Sequence, residues 1–155
     1  MPKKPTTADA DLILKLYDAR REAEIRKARQ WFIGTFWPTS ADDVLQMTRS
    51  NGQENAWYRQ VLGYWNMAAS FVIHDALHED LFLETAFCGE MFFIYAKLQP
   101  YLKELRDKMQ NPMFLANIEK VIMRSKTGRE RLAIVARNVE ARRKALAEAA
   151  QAKAS

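Results

Sequence analysis

Glu54–Ile73 reads ENAWYRQVLGYWNMAASFVI. Its apolar residues Trp57, Val61, Tyr64, Trp65, Ala68, Phe71 and Val72 recur at three- and four-residue steps, the period of a helix. Together they cover more than half of the circumference. A helix that is apolar on most sides packs against several neighbours, so this one is expected at the centre of the fold. Gly63 is expected where another backbone comes close to it.

The same period extends outward in both directions. Towards the start, Leu12, Leu16, Ala19, Ala23, Ile25, Ala28 and Phe32 mark one stripe. They predict a single long helix from a Thr6 or Thr7 cap to about Phe36, with Asp9 and Asp11 as favourable first-turn anions. Trp37-Pro38-Thr39 ends it, and Ser40-Ala41-Asp42-Asp43 caps a short helix to about Arg49. Asn51-Gly52 is read as a link between helices, since no alternating strand flanks it.

After the central helix comes a polar island, His74 to Asp80. A short helix is expected from Glu79 through Phe87, and another from Glu90 through Met109. Pro100 lies inside the second pattern and predicts a bend near Ala96 or Lys97, or a split into two. Asn111-Pro112 predicts a further helix start. Thr127-Gly128-Arg129-Glu130 reads as the capping box of a final helix with a narrow stripe at Leu132, Val135, Val139 and Leu146. The expectation is an all-α, single-domain bundle of about six helices over residues 1–155. Residues 1–6 are expected to be a disordered start and 147–155 a frayed tail.

Composition bounds the class. A chain of 155 residues with 48% hydrophobic and 28% charged residues can form one core without staples. The lone Cys88 excludes an internal disulfide and suits a reducing compartment. No charge-free apolar run is long enough to span a membrane, and Met1 to Asp11 holds no apolar h-region behind Lys3 and Lys4, so a cytoplasmic protein is expected. The net charge of +5 is unevenly placed: from Arg124 onward there are nine Lys/Arg and three Asp/Glu, while the first 123 residues come to −1.

Two patterns invite a chemical reading. His74 and His78, the only histidines, stand i and i+4 with Asp75 between, the spacing that puts two imidazoles on one helix face for zinc. Asp is shorter than the Glu of that motif, a third ligand would have to come from Glu84 or Glu90, and Glu79-Asp80 suggests that the helix ends between the histidines. A polar turn with His74 at a helix C-terminus is the favoured reading, and no cofactor or metal is expected. The second pattern is the basic set Arg124, Lys126, Arg129, Arg131, Arg137, Arg142, Arg143 and Lys144, which would face phosphates in a nucleic-acid-binding protein. A solvated helix face, with cations near a C-terminus where the macrodipole favours them, is the favoured reading. The ring-rich stripes read as core rather than as a cavity for an apolar ligand. Phosphate loops, a nucleophile elbow and the ligand pattern of di-iron bundles are missing.

Arg59-Gln60-Val61-Leu62 through Trp65-Asn66, Leu77-His78-Glu79-Asp80-Leu81 to Gly89, and Leu98-Gln99-Pro100-Tyr101 with Arg106 carry a resemblance. Over residues 12–108 the chain resembles an uncharacterised family of bacterial all-helical domains of unknown function. The resemblance implies a helical bundle with a turn at Leu77-His78, and supplies no catalytic residue. The expected function is non-enzymatic: a helical domain acting through protein association, as a homodimer or with another protein. Nucleic-acid binding through the final helix and a metal-dependent hydrolase at His74 and His78 are the alternatives, and no membrane partner is expected.

Overall fold

Gln53–Ile73 forms one 21-residue helix, α4, and its buried residues include Tyr58, Val61, Leu62, Tyr64, Trp65, Ala68, Ala69 and Val72. The computed structural model describes residues 3–155. Within them lie α1 (Thr7–Ala19), α2 (Ala23–Gly34), α3 (Ala41–Arg49), α4, α5 (Glu79–Phe82), α6 (Thr85–Leu98), α7 (Leu102–Met109), α8 (Ala116–Met123) and α9 (Lys126–Ala154). A 3-10 turn, Gln99–Tyr101, joins α6 to α7. Among the described residues there is no strand, and no helix is long and apolar enough to cross a membrane. Of the expected disordered start, Met1 and Pro2 lie outside the described residues; Lys3 to Thr6 run non-helically into α1.

As the circumferential pattern requires, α4 is central: it packs against α2, α3 and α8. A second central helix, α6, packs against α8 and α9, burying Phe87, Met91, Phe92, Ile94, Tyr95 and Leu98. Trp65 of α4 and Phe87 of α6 meet edge to face with ring centres 5.5 Å apart. Each such buried ring or aliphatic side chain contributes about 1.5–3 kcal/mol by leaving water.

The described residues form nine α-helices rather than six, and the long first helix is two. No glycine or proline makes that break. Glu22 turns its carboxylate back onto the amides of Glu24 and Ile25, at 2.9 and 3.2 Å, and so caps α2. The turn lets Arg20, 8% exposed, reach into the bundle and donate to the Phe87 carbonyl at 3.1 Å. Its guanidinium lies over the rings of Tyr17, Phe87 and Trp65.

Pro100 divides its helix as the missing amide dictates, ending α6 at Leu98. Other expected boundaries move. Gly89 does not precede a helix start; it lies within α6, where an added Cβ would be 3.5 Å from Arg131 Nη2. Asn111 caps a turn instead of a helix, its Oδ1 accepting the Met113 amide at 3.1 Å. Arg106 clamps that turn by two hydrogen bonds to the Phe114 carbonyl, and α8 opens only at Ala116. The cap of α9 is Ser125, two residues before the expected box, accepting from the Gly128 amide at 2.9 Å. A Cβ at Gly128 would lie 2.1 Å from the Ile122 carbonyl oxygen, so only glycine fits that close approach. Gly63, where a close backbone was expected, has no such neighbour within 4 Å.

Candidate functional site

Phe92-Phe93-Ile94-Tyr95-Ala96-Lys97-Leu98 carries a single charge in an otherwise apolar run on α6. A helix buried around most of its circumference must bury that charge too, and Lys97 is 0% exposed. Its Nζ donates to the Phe32 carbonyl at 2.5 Å and to the Phe36 carbonyl at 2.7 Å. These acceptors are free for a reason. At the end of α2 the amides of Thr35 and Phe36 both turn to the Trp31 carbonyl, which leaves Phe32 O without its usual helical donor. Three rings surround the ammonium, with centres 3.9 Å (Trp37), 4.9 Å (Phe93) and 5.2 Å (Phe32) from Nζ. Burial pulls the Lys97 pKa from 10.5 down to about 7, and the Arg143 charge pushes the same way. Arg143 on α9 also donates to the Lys97 carbonyl at 2.8 Å and lies over the Tyr101 ring.

Trp37 and Phe36 screen Lys97 from an open groove on the α2–α3–α4 side. The groove has a volume of about 560 Å³. Trp31, Phe36, Trp37, Pro38 and Met47 give it an apolar floor, and Asp43, Gln46, Ser50, Asn51 and Glu54 a polar rim. Trp31 and Phe36 stack with ring centres 5.1 Å apart. Asp43 accepts from the Thr39 amide and hydroxyl at 2.7 and 2.8 Å, bonds that hold its carboxyl below the usual range. Two carboxylates and no Lys or Arg line this groove, in a chain of net charge +5.

A second polar knot ties four helices together. Glu90 of α6 accepts from Arg29 Nε at 2.7 Å and from Trp65 Nε1 at 2.8 Å. Arg29 reaches the Arg20 carbonyl, and the Tyr64 hydroxyl donates to the Leu16 carbonyl. Burial raises the Tyr64 phenol to about 12.

The histidines do not share a helix face. His74 is the C-cap of α4, Asp75 takes a left-handed φ of 56°, and His78 is the N-cap of α5. The two imidazoles therefore flank a chain reversal. Asp9 of α1 accepts the His78 amide at 2.8 Å, and the His78 ring bonds the Lys3 carbonyl through Nε2. Among the described residues no group of three His, Cys, Asp or Glu side chains comes together to hold a metal.

The basic set is divided by the fold. Arg131 turns inward over the Phe92 ring and donates to the Leu83 carbonyl at 2.8 Å. Arg143 turns inward to Lys97 and pairs with Glu140. Arg124 pairs with Glu79 at 2.7 Å, Lys126 with Glu130 at 3.7 Å, and Arg129 caps the Met123 carbonyl. Arg137, Arg142 and Lys144 stand exposed on α9 without an ion pair among the described residues.

Composition alone did not single out Lys97, Arg20, Glu90 or the groove. The one available signal was a lone charge inside each apolar stretch of α6. No curated protein and no solved structure matches the chain. Over residues 5–125 it matches the family model described as a domain of unknown function, DUF4760, and the chain belongs to that family.

Proposed function

We propose that the chain is a non-enzymatic helical interaction module that pairs with a second copy of itself. One observation carries this reading: α9 outruns the bundle it belongs to. Gly128, Leu132 and Val139 are buried and Arg143 is tied to Lys97 and Tyr101, whereas every residue from Ala147 on is exposed. At 29 residues α9 is about 43 Å long, and its last turns have no tertiary support. Helical turns without packing are marginal in water, so a partner that covers them supplies the packing they lack, and the burial it brings must exceed the cost of ordering them.

The exposed cations favour a protein partner over nucleic acid. Five of the eight basic residues from Arg124 to Lys144 are engaged within the chain, which leaves a short track where phosphate recognition usually neutralises many charges. Sedimentation velocity at micromolar concentration tests the reading. The expected species has twice the 18.0 kDa chain mass, and Ala149→Pro, which breaks the unsupported turns alone, returns it to the monomer. A monomeric full chain refutes it, and steeply salt-dependent binding to a duplex would favour the nucleic-acid alternative.

A further inference from the structure

We propose that the aromatic groove of one copy is the seat for the distal turns of α9 from the other. This rests on the self-association reading and names its contact surface. The charges are complementary. The groove presents Asp43 and Glu54 with no cation, while α9 from Arg142 to Ala154 exposes Arg142, Lys144 and Lys153 against Glu148 alone. Opposed potentials of this kind steer and orient association.

The shapes agree as well. Ala145, Ala147, Ala149 and Ala150 make the distal turns slim, so the helix can lie close against the floor of Trp31, Phe36 and Trp37. Its own groove is not filled by it, since residues 147–154 are all exposed.

Position makes a closed pair possible. Arg143, the last tied residue of α9, lies over the Tyr101 ring at 5.6 Å. The Tyr101 hydroxyl in turn donates at 3.1 Å to the carbonyl of Pro38, which lines the groove. The helix thus leaves the bundle beside the groove rim. With a two-fold axis at this place, each copy lays its helix end into the other's groove, and both contacts are satisfied without an open chain of subunits.

The test uses two full-length variants changed only at exposed positions. One carries Gln46→Lys with Glu54→Lys in the groove, the other Lys144→Glu with Lys153→Glu on α9. Each alone should raise the dimer dissociation constant about tenfold or more, because like charges then face each other. Mixed one to one, they should pair as tightly as the unmodified chain, since the reversed groove then meets the reversed helix. Circular dichroism of each variant establishes that the fold is kept. As a second measurement, Gln46→Cys mixed with Ala149→Cys should give an interchain disulfide that neither forms alone. If the unmodified chain is a dimer but the groove variant dimerises equally well, or mixing restores nothing, the groove is not the seat while self-association stands. If the unmodified chain is a monomer, both readings fall together.

Discussion

Lys97 Nζ lies 3.9 Å from the centre of the Trp37 indole ring, inside the bundle, and closes the end of α2 through the Phe32 and Phe36 carbonyls. Its pKa falls from 10.5 in the unfolded chain to about 7 in the fold. Between those values the unfolded chain binds more protons, so stability rises with pH. Below about pH 7 both states are protonated and the penalty of a buried ammonium is fully present. The span corresponds to a few kcal/mol, on the order of 1.4 per pKa unit. Chemical denaturation from pH 6 to 10 should show this rise, and Lys97→Met should flatten it. At pH 10 the variant should be less stable than the parent by about 1–3 kcal/mol, because two carbonyls lose their donor. An unchanged pH slope in Lys97→Met would show that this lysine is not the titrating group.

Glu90 holds Arg29 and the Trp65 indole at once, and its side chain is 7% exposed. Glu90→Ala leaves a half-buried guanidinium without its carboxylate and the Trp65 indole N–H without an acceptor. The expected loss is about 2–4 kcal/mol, tempered by the access of Arg29 to water. Glu90→Gln keeps an acceptor for Trp65 and should lose less. A denaturation midpoint series orders the three proteins, and equal midpoints for Ala and the parent would contradict the network.

Two glycines should respond in opposite senses. Gly63 is exposed within α4 with open space around it, so Gly63→Ala should stabilise by about 0.5–1 kcal/mol through helix propensity. At Gly128 the added methyl would meet the Ile122 carbonyl, so Gly128→Ala must displace the start of α9. A cost of about 2 kcal/mol or more is expected there. Melting temperatures of the two variants decide the matter, and a shift of the same sign in both would count against it.

Asp9 caps α1 with Thr6 and also receives the His78 amide, bonds that lower its carboxyl to about 2. A depressed carboxylate stabilises above its unfolded value of 3.8 and loses that contribution as pH falls towards 2. Asp9→Asn should therefore be less stable at neutral pH and converge on the parent in acid. Parallel acid-unfolding curves with a constant gap would refute the assignment.

The all-helical class, the central place of α4 and the division at Pro100 were legible because each rests on local chemistry: period, circumference and a missing amide. The break after Ala19 was not, since a glutamate that caps with its own carboxylate leaves no glycine or proline as a sign. Gly89 and Gly128 looked like punctuation, yet one makes room for Arg131 and the other for the Ile122 carbonyl, and such room is a tertiary property. The inward cations were hidden for a related reason. A lysine or arginine reads as surface in isolation, and only the ring faces and carbonyls that α2 and the residues after it bring to Lys97, and that α6 and the 3-10 turn bring to Arg143, reverse that.

The family segment stops at residue 125, whereas α9, which roofs the α6 flank, begins at Lys126. Leu132 and Val139 are 5% and 2% exposed, Arg131 shields Phe92, and Arg143 seals the backbone behind Lys97. A fragment cut at the family boundary would wet an oily strip along its second central helix and unclasp the carbonyl behind a lysine already short of solvation. The segment that the family model matches and the packed core therefore have different edges, and any truncation of the chain should respect the second.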